Sequence, residues 1–168
     1  MRAQSWKELP HMVKELLDLA DIRLLSAMQR DGRMSNQNLA EAAGMSSSAC
    51  WRRVRALEAA GVIEKYTAVL NPEACGLDFH AILHVGLARH DPELVNSFVD
   101  AVTYRSEVVE CFATTGDADY HLRVCCRNKD AYNRFMETFL FRIPGVSTVR
   151  TNLILREVKQ NQALPLGV

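Results

Sequence analysis

The spacing of the apolar residues changes once along this chain, and that change limits the fold more than any other feature. Up to Gly61 they recur at helical spacing. From His80 onward, stretches of alternating apolar and polar residues are interleaved with two more helical segments. A chain so patterned divides into an all-helical part and an α+β part. Its 168 residues give room for one domain or two small ones.

The helical part holds three segments. Asp18 can cap one that runs to about Arg30, with Ile22, Leu25 and Met28 or Gln29 on one face and Gly32 just beyond its end. Ser35 caps a short helix, Asn36 to Ala43, with Leu39, Ala42 and Ala43 turned inward. Gly44-Met45 makes a turn. Ser46 then starts a third helix with Cys50, Val54 and Leu57 on its inner face, and Gly61 ends it. Two short helices joined by a tight turn containing Gly, after a leading helix, form the helix-turn-helix pattern. The competing reading is a plain three-helix bundle with no role toward DNA.

The outer face of the third segment separates the two. In "SSSACWRRVRALE", Arg52, Arg53 and Arg55 follow a serine run and a tryptophan, and the first acid is Glu58. A solvated helix usually mixes signs, because opposite charges one turn apart support it. The chain as a whole has no net charge; residues 1–66 carry ten Lys/Arg against eight Asp/Glu (+2), and residues 67–168 ten against twelve (−2). That asymmetry is too small to implicate nucleic acid, whereas a few well-placed cations are enough to contact phosphate. Opposite the inner face lie Ser48, Trp51, Arg52 and Arg55, groups suited to a major groove. Ser46 would cap the helix, and Ser47 and Ser48 sit in its first turn, where free amides can receive a phosphate. Arg52 and Arg55 can pair with guanine edges or phosphates. Trp51 packs either on the DNA or on the neighbouring helix. Arg53, beside the buried face, either joins the DNA set or forms a structural salt bridge, and Cys50 reads as a small core residue.

After Gly61, "VIEKYTAVLNPEACGL" alternates enough for one or two strands and ends in the turn Asn71-Pro72. "HAILHVGLARH" then puts Ala81, Leu83, Val85 and Leu87 on one face of a strand. Asp91-Pro92-Glu93 opens a helix with Val95, Phe98, Val99 and Val102 inward. "EVVECFATT" and "YHLRVCC" are strands around the turn Gly116-Asp117. Asn128 begins a helix that turns Tyr132, Phe135, Met136 and Phe139 inward, and "VSTVRTNLILREV" is the last strand. The order β-α-β-β-α-β is the ferredoxin-like arrangement, in which one sheet face carries both helices.

Other functions find less support. No apolar run approaches the roughly 20 residues that span a bilayer, and the N-terminal stretch lacks the apolar core of a signal peptide. The five cysteines form no C-x-x-C pair, which points to reduced thiols in a cytoplasmic protein rather than a disulfide framework or zinc site. His80 and His84 share a strand face near His121, yet nothing supplies the remaining ligands and outer shell of a metal centre. A nucleophile, its base and a phosphate loop do not occur together, so an enzyme is not expected.

The stretches "LDLADIRLLSAMQRDGRMSNQNLAEAAGMS", "CWRRVRALEAAGVIEKYTAVLNP", "GDADY", "PGV" and "REVK" together resemble the leucine-responsive regulatory protein/AsnC family, over about Leu17 to Leu164. The sequence departs from that family's pattern at Ser47 and Ala49, where proline is common, and at Ala118, where a bulkier residue is usual. The resemblance implies an α+β protein: an extension (1–16), a helix-turn-helix domain (17–61), a β-strand linker (62–79) and a ferredoxin-like effector-binding and oligomerisation domain (80–168). It implies an amino-acid-responsive transcription regulator that binds double-stranded DNA through Ser46, Ser47, Ser48, Trp51, Arg52, Arg53 and Arg55. It implies homodimers that assemble to octamers, with neither cofactor nor membrane involved. On residues alone "TTGDADY" is a hairpin turn. The resemblance makes it an effector loop, with Asp119 accepting the ammonium and amides around Thr115 and Gly116 taking the carboxylate. Thr114 and Tyr120 would form walls, and Ala113 and Phe141 would favour a neutral, apolar side chain.

Overall fold

The computed structural model describes residues 17–88, 91–159 and 163–166. They fall into two compact units: the described residues up to Ala68 together with those from Lys159 onward, and Val69–Val158. The extension 1–16 lies outside the described residues.

The first unit contains α1 (Leu19–Arg30), α2 (Asn36–Ala43) and α3 (Ser47–Ala59). Each starts where a short polar side chain satisfies amides that the helix leaves orphaned. The Asp18 carboxylate accepts from the Asp21 N–H, Ser35 Oγ from Asn38 N–H and Ser46 Oγ from Ala49 N–H. Between α2 and α3 the chain reverses at Gly44, whose φ of 70° is left-handed backbone. The core consists of Leu24, Leu25, Ala27, Leu39, Ala40, Ala43, Cys50 and Leu57. Ala40 rather than Ala42 is buried. The buried set Leu39, Ala40 and Ala43 forms one stripe, and Ala42 lies just over a quarter-turn from its centre. The tail returns to this unit: Gln29 and the Leu164 backbone exchange two hydrogen bonds, of 3.2 and 2.5 Å, and Leu166 packs against the core.

The linker differs from expectation. No strand lies between α3 and Phe79; residues 64–70 are exposed and without a ladder, and Glu73–Cys75 forms a 3₁₀ turn closed by Gly76. A strand exists by virtue of a neighbour, and one chain offers these residues none.

The second unit runs β1 (Phe79–Leu87), α4 (Pro92–Thr103), β2 (Val108–Ala113), β3 (Tyr120–Cys126), α5 (Lys129–Thr138) and β4 (Val146–Leu153). The sheet order is β2-β3-β1-β4 with every pair antiparallel, the expected ferredoxin-like topology. Alternation puts Ala81, Leu83, Val85 and Leu87 under the helices beside Leu122 and Val124, where Phe98, Val102, Phe135 and Met136 pack on them. Val99, expected inward, is 38% exposed, because Phe98 and Val102 already fill the inner stripe of α4. β4 stops at Leu153 rather than near Val158. Its partner β1 begins at Phe79, and after the Ile154 N–H bond to the His80 carbonyl the ladder has no further partner.

Candidate nucleic-acid interface and effector loop

The α3 side chains sort by what they touch. Cys50 and Leu57 are buried, while Ser47, Ser48, Trp51, Arg52 and Arg55 are exposed. The Asn36 amide donates to the Ser47 carbonyl at 2.9 Å, joining the starts of α2 and α3. Ser46 Oγ, besides capping, lies 3.2 Å from Ser48 Oγ. Arg52 makes no hydrogen bond or ion pair with any described residue, so its guanidinium is open to an external anion.

Arg53 is occupied elsewhere. Its guanidinium pairs with Asp21 at 2.7 Å and Asp18 at 2.8 Å, at the start of α1. The hydrogen bonds it donates to Asp21 and then to Asp18 raise the Arg53 pKa further, which keeps the group charged. Of the two roles open to Arg53 in the sequence, the structure displays the structural one. Among the described residues of this unit Asp21 is the buried charged one, at 8% exposure, and the sequence offered no sign of it. It occupies the third position of the capping box with Asp18 and faces Arg53 on its other side.

Arg55 is held more loosely. It reaches Glu58 at 3.2 Å with 65% of its side chain exposed, and its guanidinium carbon stands 5.7 Å from the Trp51 ring centroid. The second Glu58 oxygen accepts a 2.9 Å hydrogen bond from the Tyr66 hydroxyl. Burial and then the Glu58 carboxylate raise the Tyr66 phenol above its ordinary value. A cleft of about 270 Å³ lies among Met28, Met34, Leu39, Val54, Glu58 and Tyr66.

In the second unit the hairpin after β2 brings Ala113, Thr114, Asp119 and Tyr120 together. The Thr114 N–H donates to the Asp119 carbonyl at 3.0 Å, and Thr114 Oγ to the Ala118 carbonyl at 3.1 Å. Asp119 also ties the hairpin to β1: its N–H donates to the Val85 carbonyl at 3.0 Å, and its Oδ2 accepts from the Leu87 N–H at 2.7 Å. One carboxylate oxygen therefore already has a backbone partner. Tyr120 lies at the helix side of the sheet, its ring 4.7 Å from Phe98, because it shares the face of Leu122 and Val124. Thr115 and Gly116 are exposed at the tip, where Gly116 adopts φ 123°. Phe141 sits 59% exposed in the 3₁₀ turn Leu140–Arg142, and no hydrogen bond or ring contact joins it to the loop.

The sheet face away from the helices carries His80, Ile82 and His84 opposite Cys125, Arg123 and His121. The His84 and His121 rings meet edge-on with centroids 4.6 Å apart, and Glu157 reaches back to pair with Arg123. Phe112, cross-strand from His121, is 55% exposed. No group of three His, Cys, Asp or Glu among the described residues is placed to hold a metal ion. Among the same residues no helix is long and apolar enough to cross a membrane.

Comparison with known proteins agrees with both units. A family model for the Lrp/AsnC ligand binding domain matches residues 80–164, and one for a winged helix-turn-helix DNA-binding domain matches residues 17–64. The chain is 37% identical over 163 residues to the leucine-responsive regulatory protein of Haemophilus influenzae, covering 95% of this chain and 98% of that one. It is 37% identical over 148 residues to the protein of the same name from Escherichia coli K12, covering 88% and 90%. Among solved structures, a Neisseria meningitidis transcriptional regulator in complex with L-methionine superimposes with a TM-score of 0.86 at 34% identity, over 90% of this chain and 97% of that one. A feast or famine regulatory protein from M. tuberculosis complexed with L-methionine gives 0.80 at 29% identity, over 88% and 98%.

Proposed function

The chain belongs to the Lrp/AsnC family of DNA-binding regulators, which are transcription factors with an amino-acid ligand-binding domain rather than enzymes, and from that premise we propose how its residues divide the work. The outer face of α3 reads duplex DNA. Arg52 and Arg55 supply the base or phosphate contacts, Trp51 an apolar contact, and Ser46, Ser47 and Ser48 with the first-turn amides a phosphate seat. The observation that carries this reading is the contrast between two adjacent arginines: Arg53 is tied down by two carboxylates, whereas Arg52 is exposed and has no hydrogen bond or ion pair among the described residues. Arg53 then acts by fixing the pose of α3 on α1.

The effector is an amino acid held at the 113–120 hairpin, with Asp119 taking the ammonium and the amides near Thr115 and Gly116 the carboxylate. L-Methionine, found with two of the similar structures, heads the candidates, in keeping with the neutral side chain that Ala113 and Ala118 suggest. The hairpin leaves Thr115, Gly116 and Phe112 exposed in one chain, which supports a site completed by a second copy. The unladdered linker 62–70 and the sheet face with Phe112 support a homodimer as the basic unit, with further association to an octamer. Two copies of α3 would then meet half-sites about 34 Å apart, or a multiple of that. Action on genomic DNA places the protein in the cytoplasm, and the domain limits 17–61, 62–79 and 80–168 serve as the working division.

Selection of bound sequences from random duplexes, followed by calorimetric titration of the protein with L-methionine and L-leucine, tests both halves. A two-fold-symmetric consensus and saturable binding of one amino acid are expected. An equal affinity for all duplexes would defeat the DNA half, and no heat with any of the twenty amino acids would defeat the effector half.

A further inference from the structure

Arg55 and Arg53 project from the same helix and both meet carboxylates, but the two contacts differ in kind. Arg53 spans two acids at 2.7 and 2.8 Å, one of them buried. Arg55 meets a single acid at 3.2 Å, on the surface and within its own helix. An exposed pair of that sort is worth at most about fivefold in an equilibrium constant. A bidentate guanine contact is worth about five- to a hundredfold. DNA therefore wins Arg55 from Glu58, but at a cost set by how firmly Glu58 holds it.

Glu58 does not act alone. Its other oxygen is engaged by the Tyr66 hydroxyl at 2.9 Å. A carboxylate that accepts a hydrogen bond on one oxygen offers less negative charge to a cation on the other. Tyr66 lies in the irregular segment after α3, three positions before Val69, where the second compact unit begins. The linker is thus anchored on the recognition helix by one hydrogen bond, and that bond ends on the acid that restrains a DNA-reading arginine.

We propose that Glu58 is a positioning residue that holds Arg55 back in the free protein, and that Tyr66 sets how firmly it does so. With Tyr66 seated, Glu58 is shared and Arg55 is released easily. With Tyr66 withdrawn, Glu58 turns wholly to Arg55 and DNA must displace a stronger pair. A change in the path of the linker then alters DNA affinity without any movement of the helices of the first unit. Glu58 also keeps Arg55 from settling on stray phosphates, so its removal favours non-specific binding most.

The proposal rests on the reading of α3 as the DNA-binding helix, and a charge-controlled set of variants separates the two. Fluorescence anisotropy on the full chain and a selected duplex gives affinities for Arg52→Ala, Arg55→Ala, Glu58→Gln, Tyr66→Phe and the doubles. Tyr66→Phe, which changes no charge, should weaken specific binding by part of that fivefold ceiling, about twofold, and should have no effect once Glu58→Gln is present. Glu58→Gln should tighten binding, with most of the gain lost in the Arg55→Ala background. If Arg52→Ala and Arg55→Ala both bind as wild type, the reading of α3 fails and the proposal falls with it. If Arg55→Ala weakens binding while Tyr66→Phe acts equally with and without Glu58, only the proposal is overturned.

Discussion

The Arg53 guanidinium donates to the Asp21 carboxylate at 2.7 Å, and this bond ties α3, the helix proposed to read DNA, to the first turn of α1, 32 residues earlier. Asp21 is 8% exposed, so the pair is a fixed internal contact rather than a surface ornament. Removing one partner of such a pair leaves the other partly desolvated and unpaired.

Arg53→Met should accordingly lower the stability of the helix-turn-helix unit by about 1–3 kcal/mol, read as a shift in urea midpoint. DNA affinity should fall in proportion to the unfolded fraction and should recover at lower temperature. A stable Arg53→Met protein that no longer binds DNA would instead make Arg53 a direct contact.

The Asp18 carboxyl has a folded pKa below its ordinary 3.8, chiefly because it accepts from the Asp21 N–H, with Arg53 adding to the effect and burial opposing it. A depressed folded value means that its stabilisation is complete above about 3.8 and is lost as pH falls through the lower folded value. Asp18→Asn keeps a capping oxygen but has no proton to gain. As pH falls below about 4, wild type should lose stability faster than this variant. Parallel urea-midpoint profiles would remove Asp18 as the source.

Arg52→Ala should weaken specific binding by about 1–3 kcal/mol if it reads a base, with discrimination relaxed at one position of the site. If it meets phosphate instead, affinity should drop uniformly across sequences and the salt slope should fall by about one. Competition with the selected duplex and scrambled duplexes at two salt concentrations tells these apart.

Asp119 serves two ends that substitution can separate. Asp119→Ala loses the bond from the Leu87 N–H and should cost about 0.5–1.5 kcal/mol of stability whether or not a ligand is present. Asp119→Asn keeps an acceptor oxygen, so it should remain near wild-type stability while losing the charge that an ammonium needs. Calorimetry showing undiminished amino-acid binding by Asp119→Asn would move the ammonium site elsewhere.

The thiols should react in order of burial. Cys75 is exposed, whereas burial pushes the Cys126 thiol up to about 11 and raises those of Cys50 and Cys125. Timed alkylation near neutral pH, followed by mass spectrometry, should find Cys75 modified first and Cys126 only after denaturation. Early labelling of Cys126 would mean that the sheet core opens.

What could be read in advance was local. Asp18, Ser35 and Ser46 announce their helices because a cap acts within three residues, and the alternation from Ala81 to Leu87 identifies the core face of its strand. What escaped depends on partners far along the chain. Asp21 looks like an ordinary first-turn acid until Arg53 folds onto it. The end of β4 is decided by where β1 begins, so residues 155–158 alternate as a strand and yet have no ladder. That Asp119 also accepts a bond from the Leu87 amide was hidden because that amide belongs to another strand. Glu58 and Tyr66 could have been noticed, since residues 64–66 follow the helix closely, but nothing in their identities says that they touch.

The return of the C-terminal segment to α1 has a consequence for how the protein comes into being. The helices of the first unit leave the ribosome early, but the Leu164 backbone that pairs with Gln29, and the Leu166 side chain that packs on their core, are translated only after the entire sheet. Translation therefore delivers the Leu164 and Leu166 contribution to the helical unit only after the strands of the sheet have been made. A nascent chain stalled before residue 164 carries all of α3 on a helical core that still lacks the Gln29–Leu164 bonds and the Leu166 side chain.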